Sequence, residues 1–355
     1  MNISNEITYE ESICLANPVY IDVRSPGEYE HDHIPGSVNL PIFDNDERSE
    51  IGTLYRASGR DTAIIRGLGI AGGKLEKIIN EISMYSGMDI VLLCFRGGMR
   101  SASLCSLLNS LGIRVCRLYQ GYKGYRRYIA NAISSVRVKP PLFVLHGLTG
   151  AGKTDIIRKL PNSIDLEGMA GHRSSIFGGI GLKAHSQKKF ESLLMQKIIL
   201  IENERCAVIE GESRKIGDLH IPQTLYKQML ESPGIMIETP IELRADIIVR
   251  EYTKDINRVE VLEIVKSLGP KLGGKKVEKL IDLFESDALR QFVLLLLELY
   301  YDPLYRHTVE KMNCIATIKN ISTDDAVGQI KTVMQSYLDN TDAQGIKKEI
   351  QSMPR

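Results

Sequence analysis

Between Asp89 and Asp155 the sequence carries no acidic residue, although aspartate and glutamate number 44 over 355 residues and the formal net charge is +1. Into that gap fall Arg96, Arg100, Arg114, Arg117, Lys123, Arg126, Arg127, Arg137, Lys139 and Lys153. Positive charge without a local counter-charge predicts an anion-facing surface, unless acids elsewhere in the fold balance it. Other absences narrow the class. The cysteines (14, 94, 105, 116, 206 and 314) include no CxxC pair and no dense framework. That argues against structural zinc and a disulfide scaffold, and suits a reducing cytoplasm. The longest strongly apolar run, FVLLLLELYY at 292–301, is too short for a bilayer and contains a glutamate. The N-terminal MNISNEITYEESI is polar and acidic, unlike a secretory signal. No internal repeat or low-complexity tract is present. A soluble cytoplasmic protein without a membrane partner is expected.

What is present is a pattern of short β-rich runs alternating with helical spacing. VYIDV (19–23), IVLLC (90–94) and VCRLY (115–119) read as strands, with helical KLEKIINEISMY and SASLCSLLNSLG between them. Strand–helix alternation implies a parallel sheet covered on both faces. SSVRVKPP (134–141) reads as a linker, because its prolines end the preceding helix. A second α/β unit starts at LFVLHG and continues through SIDLEG and CAVIEGES. The last hundred residues read as mostly helical, interrupted by GPKLGGKK (269–276). The expected organisation is a parallel-sheet α/β domain over 1–133, a linker over 134–141, and an α/β domain with a helical C-terminal part over 142–355.

GLTGAGKT, from Gly147 to Thr154, fits GxxxxGK[ST] between a predicted strand and a predicted helix. Gly147, Gly150 and Gly152 let backbone N–H groups converge on phosphate oxygens. The helix N-terminus adds positive potential and Lys153 a mobile charge. Thr154 is the residue that normally holds Mg²⁺; Glu210 or Glu212, or Asp165 or Glu167, are candidates for its acidic partner, with an ordinary strand-end carboxylate the alternative reading of each. The motif predicts phosphate binding; nucleotide hydrolysis does not follow from it, and whether a metal binds stays open.

CFRGGMRS (94–101) ends a predicted buried strand and opens a helix. A cysteine placed there is surrounded by backbone amides, with Arg96, Gly97, Gly98 and Arg100 forming a cradle for an oxyanion. Cys94 is therefore the expected nucleophile for group transfer. Cys105 and Cys116, at core spacing, read as inert small hydrophobes. The C-x₅-R spacing also fits a cysteine phosphatase, but no general acid for a leaving group stands out.

Upstream, IDVRSPGEYEHDHIPGSVNLP (21–41) resembles the rhodanese (sulfurtransferase) family, through Asp22, Arg24, Glu28, Tyr29, His33, Ile34, Pro35, Gly36, Ser37 and Asn39. The resemblance implies a rhodanese-like first domain in which this stretch, His33 included, is architectural. Joined to a P-loop NTPase-like domain, it is similar to the tRNA 2-selenouridine synthase family over nearly the whole chain. DNDERSEIGTLYR (44–56), CFRGGMRS, LYQGYKGYRR (118–127), GLTGAGKT, DLEGMAGHRSSIFG (165–178), ESRKIG (212–217) and YYDPLYRH (300–307) carry that similarity in order. Ser174 departs from it, since a glycine is expected after His172–Arg173.

The resemblance implies a transferase acting on tRNA. Wobble 2-thiouridine is alkylated with geranyl diphosphate, and the geranylthio group is then displaced by selenium from selenophosphate. It implies no tightly bound cofactor, and a selenophosphate-producing enzyme as a partner. It also makes Glu167, His172, Arg173, Glu210, Glu212 and Arg214 candidate partners of the phosphate loop. Lys123, Arg126, Arg127, Arg137 and Lys139 are candidate tRNA contacts, which Arg244, Arg250, Lys271, Lys275 and Lys276 extend. Tyr119, Tyr122, Tyr125 and Tyr128, interleaved with those cations, either stack on unpaired bases or pack between domains. LLMQKIILI (193–201) and FVLLLLELYY are core segments or walls of a geranyl pocket. The rival readings are a P-loop kinase with a rhodanese-like regulatory or sulfurtransferase module, and a non-enzymatic tRNA- or nucleotide-binding protein.

Overall fold

The computed structural model describes residues 6–252, 257–304 and 314–352. The chain divides into two compact units: Met1–Ser134 with Glu191–Leu193, and Ser135–Phe190 with Leu194–Arg355.

The first unit is built on β1 (Glu6–Ile7), β2 (Pro18–Asp22), β3 (Val38–Asn39), β4 (Asp89–Leu93) and β5 (Val115–Leu118), in the order β1-β5-β4-β2-β3. All four pairings are parallel. Parallel strands need helical crossovers that cover both faces, so central strands are apolar throughout. β4 shows this, with Ile90, Val91, Leu92 and Leu93 all buried. The helix Leu75–Ser83 places Leu75, Ile78, Ile79 and Ile82 at helical spacing on the core face.

The stretch after β2 is held by its own polar groups. Asp22 and Arg24 form a buried pair at 2.6 Å. The Arg24 guanidinium also donates to the Asp32 carbonyl at 2.8 Å and lies over the Tyr122 ring. Ser25 and Glu28 form a capping box around a helix whose first residue is Pro26. His33 stacks on Tyr29, with Nδ1 2.8 Å from the Tyr29 carbonyl. Asn39 donates to the carbonyls of both Asp22 and Arg24 at 2.9 Å. His33 is thus engaged by the ring and the carbonyl of Tyr29 within the same stretch.

The second unit contains β6 (Leu142–Gly147), β7 (Ser163–Ile164), β8 (Ala207–Glu210), β11 (Gly234–Glu238) and β12 (Cys314–Lys319), with order β12-β11-β6-β8-β7 and every pairing parallel. A small antiparallel ribbon, β9 (Lys215–Ile216) with β10 (Leu219–His220), follows β8. The segment that precedes β6 is fastened to this unit. Val136 and Val138 are buried, and Gln228 receives the Val138 N–H and donates to the Val138 carbonyl.

Helices Ile241–Tyr252, Arg258–Ser267, Gly274–Glu285 and Leu289–Leu296, with a π-helical turn at Leu297–Tyr301, form a separate apolar cluster around Phe284 and Phe292. FVLLLLELYY belongs to that cluster, and Leu194, Met195, Ile198 and Ile201 of LLMQKIILI are likewise buried. β12 is the element that the expectation of a mostly helical C-terminal region misses. Its CIATIK alternates too briefly to be told from neighbouring helix, and it becomes a strand by pairing with β11. The helix Thr323–Ser352 then lays Ala326, Ile330, Met334 and Leu338 onto the sheet. Among the described residues, no helix is long and apolar enough to cross a membrane. Residues 305–307 of the YYDPLYRH stretch lie outside the described residues.

Candidate active site

Cys94 directly follows β4 and is 3 % exposed. Its loop ends at Gly98, the N-cap of the helix Met99–Ser110, whose first N–H groups have no intrahelical acceptor. The Cys94 Sγ lies 3.2 Å from the hydroxyl of buried Ser101. The two arginines differ. Arg100 is bidentate to Glu28 at 2.7 and 3.2 Å, so its charge is largely matched. Arg96 is exposed beside the Phe95 ring and has no acidic partner among the described residues. Glu28, the N3 residue of the Ser25 capping box, thus links the upstream stretch to the cysteine loop.

A second contributor comes from LYQGYKG. The Tyr122 N–H donates to the Cys94 carbonyl and the Lys123 N–H to the Phe95 carbonyl, both at 2.9 Å. This approach needs Gly121, which sits at φ 55°, where an added Cβ would fall 2.0 Å from the Cys94 oxygen. Ser101 and Gly121 carry no chemical signature of their own. Only their spacing around CFRGGMR and QGYKG could have drawn attention to them.

In the second unit the phosphate loop joins β6 to the helix Lys153–Arg158. Gly152, at φ 80°, caps that helix, with no room for a Cβ beside the Asn320 amide. Lys153 Nζ donates to the Gly147 carbonyl at 3.0 Å and stands 3.8 Å from Glu212. The Thr154 hydroxyl is 3.3 Å from carboxylate oxygens of both Glu167 and Glu210. Glu210 receives the Glu167 N–H at 3.0 Å, and Glu167 receives the Ser174 N–H at 2.6 Å.

Burial, reinforced by the negative charges of Glu167, Asp165 and Glu212, holds the Glu210 carboxyl well above the ordinary carboxylate range. Burial also raises Glu212, against the pull of Lys153. His146, on β6, is held down to about 4 by burial and by Lys153, so its ring is neutral. Asp165 is occupied as an N-cap, receiving the Gly168 N–H at 2.7 Å.

The backbone accommodates the Ser174 departure. Its φ is not positive, and its N–H is the donor to Glu167. Arg173 bonds the Ile180 and Glu251 carbonyls and shares a cleft of about 780 Å³ with Thr154 and Glu167. His172 has a buried Nδ1 without a hydrogen-bond partner, whereas Arg214 is exposed. Among the described residues, no three His, Cys, Asp or Glu side chains converge to hold a metal by themselves. Thr154, Glu167 and Glu210 do converge, an oxygen set of the kind that Mg²⁺ uses together with substrate phosphates.

Three further residues, unmarked by any motif, fix the loop. Arg244 donates to the Thr149 carbonyl at 2.9 Å and pairs with Asp302 at 2.6 and 3.0 Å. Thr239 and Asn320 both donate to the Ala151 carbonyl at 2.9 Å. Arg244 is 3 % exposed, which removes it from the proposed cationic track: it positions the loop from beneath. Arg250 is paired with Asp155 at 2.5 Å. Lys271, Lys275 and Lys276 form no ion pair among the described residues, though Lys271 faces the Tyr300 ring.

Lys123, Arg127, Arg137 and Lys139 are exposed, Lys139 in an ion pair with Glu202; Arg126 is half-buried and ion-paired. The tyrosines divide. Tyr122 and Tyr125 are buried, and Tyr125 and Tyr128 pack on Tyr9 within the first unit. Tyr119 alone of the four is exposed.

A cysteine loop on one parallel sheet and a phosphate loop on another define a two-domain rhodanese-like and P-loop protein. Residues 13–128 match the rhodanese-like domain model, and residues 140–337 match the model described as the tRNA 2-selenouridine synthase AAA domain. Proteins named tRNA 2-selenouridine synthase are similar throughout. That of Shewanella sp. (strain MR-7) is 32% identical over 84% of this chain and 90% of its own length. That of Shewanella woodyi is 30% identical over 87% and 93%, and that of Sulfurovum sp. 31% over 84% and 91%. A crystal structure of the N-terminal domain of a putative ATP/GTP binding protein from Clostridium difficile 630 is 41% identical, covering 35% of this chain and 97% of that one, at a TM-score of 0.34. The chain belongs to the tRNA 2-selenouridine synthase family.

Proposed function

We propose that the protein is a cytoplasmic transferase that converts the wobble 2-thiouridine of tRNA to 2-selenouridine in two steps. In the first, the thiouridine sulfur attacks C1 of geranyl diphosphate. A carbon–sulfur bond forms, a carbon–oxygen bond breaks, and diphosphate departs. In the second, selenium from selenophosphate replaces the geranylthio group at C2; geranyl thiol leaves and water takes the phosphoryl group as phosphate. Alkylation is useful because it turns a poor leaving group into a better one.

The observation that supports this reading is that one chain carries two separately built loops, one at Cys94 and one at Lys153, each in a domain that a family model matches. The phosphate loop suits the diphosphate. Lys153 neutralises charge that develops on departure, and the N–H groups around Gly150 and Gly152 donate to its oxygens. Mg²⁺, held by Thr154 with Glu210 or Glu167, would supply further neutralisation. The cysteine loop suits selenophosphate. In this reading Cys94 exchanges the chalcogen, and Arg96 and the nearby helix N-terminus stabilise the anion. The tRNA backbone is held by exposed Lys123, Arg127, Arg137 and Lys139, and Tyr119 offers a ring for an unpaired anticodon base.

Incubating the protein with 2-thiouridine tRNA, geranyl diphosphate and selenophosphate, then reading nucleosides by mass spectrometry, tests the scheme. Wild type should yield selenouridine, Cys94→Ala should stop at the geranylated nucleoside, and Lys153→Ala should leave thiouridine unchanged. Unmodified tRNA together with ATP turnover that depends on Lys153 would instead establish the P-loop kinase reading.

A further inference from the structure

The first unit holds an apolar groove of about 950 Å³ that none of this chemistry uses. It begins where the cysteine loop ends. The helix Met99–Ser110 forms one wall with Met99, Arg100 and Ser103 among its residues, and the helices Asn45–Ser58 and Arg60–Gly72 form most of the rest. Phe43, Ile51, Ile64, Leu68, Leu104 and Leu107 line it. Tyr55, Leu68 and Met99 are 58, 63 and 48 % exposed, so a single depression leaves several large apolar side chains in water. Its volume falls in the roughly 300–1,000 Å³ range of pockets for small organic ligands.

The rim has charge of one sign to spare. Arg48 and Arg100 share Glu28 as a partner, but Arg56 and Arg60 are exposed and pair with no acid among the described residues. An apolar trough edged by unmatched guanidinium groups fits a hydrocarbon chain attached to an anion. We propose that the groove receives the alkyl chain of an S-geranylated thiouridine in RNA, with Arg56 and Arg60 taking phosphates of the same strand. This rests on the proposed two-step reaction. There the alkylated nucleoside must be presented to the Cys94 loop, and the chain must leave as the thiol once selenium has entered. A groove that starts at the helix after the loop holds the chain aside while C2 is attacked.

Labelled anticodon stem-loops carrying either 2-thiouridine or its synthetic S-geranyl derivative test the assignment with the full-length protein, by fluorescence anisotropy. Wild type should bind the geranylated stem-loop about tenfold or more tighter, the effect of burying a few methylene groups. Leu68→Glu, which charges the trough, and Ser103→Trp, which fills it, should each bring the ratio near one, whereas Leu68→Met should keep it. Arg56→Ala with Arg60→Ala should weaken both stem-loops and lower the salt slope by about two.

A ratio that survives Leu68→Glu and Ser103→Trp overturns the assignment. So does a dimer seen by light scattering that Leu68→Glu dissociates without changing the ratio, since the groove would then cover a second copy. Selenouridine formation by wild type without any preference for the geranylated stem-loop sinks the groove alone. A preference without any tRNA conversion sinks the two-step reaction instead.

Discussion

The Cys94 Sγ lies 3.2 Å from the Ser101 hydroxyl, with both side chains buried. Seven positions separate them, because the loop returns to start a helix whose first turn faces the end of β4. A hydroxyl there can donate to a thiolate and accept from a thiol. Ser101→Ala removes that partner while leaving the loop amides in place. A hydrogen bond to a charged group is worth about 1.5 kcal/mol or more, which is roughly tenfold in rate. Selenouridine formation, and alkylation of Cys94 by iodoacetamide at fixed pH, should both slow by about that factor while geranylation continues. Unchanged alkylation would show that Ser101 serves the fold alone.

Gly121→Ala should damage the same loop from the opposite side. Its φ of 55° and the 2.0 Å approach to the Cys94 carbonyl leave no place for a methyl group. Strain of this kind costs on the order of 2 kcal/mol. Thermal unfolding of the variant should therefore begin earlier, and of the two proposed steps the chalcogen step should fall more than the geranyl step. Gly124→Ala is a poor control, because that position is crowded as well. Gly112→Ala, at φ 84° in open space, separates backbone strain from steric collision.

How far these features could be read in advance depends on the distance between partners. The phosphate loop, the cysteine loop and the Ser25–Glu28 capping box lie within a few residues of chain, and their chemistry is carried by local spacing. Arg100 meets Glu28 from 72 positions away, and Arg244 meets Asp302 from 58. No periodicity announces such pairs, so in the sequence Arg244 reads as one more surface cation. The tyrosines of the YQGYKGYRRY segment illustrate the same limit. Their spacing is compatible with stacking on bases, yet Tyr125 is used against Tyr9, which lies at the other end of the unit's sequence. β12 was hidden because a six-residue edge strand depends on its neighbour for identity.

Glu210 makes stability depend on pH in a defined direction. Its folded value is raised above the ordinary 4.5, chiefly by burial. The folded protein therefore keeps a proton that the unfolded chain has released, and stability falls as pH rises from about 4.5 toward the raised value. Glu210→Gln cannot ionise. Without ligand, the variant should melt higher than wild type at neutral pH, and the gap should close as pH is lowered to about 4.5. A gap independent of pH would mean that folding does not raise the Glu210 carboxyl.

The Arg244–Asp302 pair should couple the helical cluster to the phosphate loop. Arg244 touches the Thr149 carbonyl with Nε and Asp302 with both terminal nitrogens, so losing Asp302 frees the arginine to move away from the loop. Arg244 is buried but Asp302 is only partly so, and losing hydrogen bonds to a charged group in such a pair costs about 1.5–3 kcal/mol. Arg244→Ala and Asp302→Asn should each reduce geranyl transfer and leave Cys94 alkylation unaffected. In the double variant the losses should be far from additive, since both act through one contact. Melting curves alone cannot separate positioning from general support. The decisive measurement is the geranyl-transfer rate at saturating geranyl diphosphate beside the KM for that substrate. A residue that sets the loop's shape alters one or both at temperatures where the variant is fully folded. A residue that merely stabilises the unit leaves both at wild-type values there.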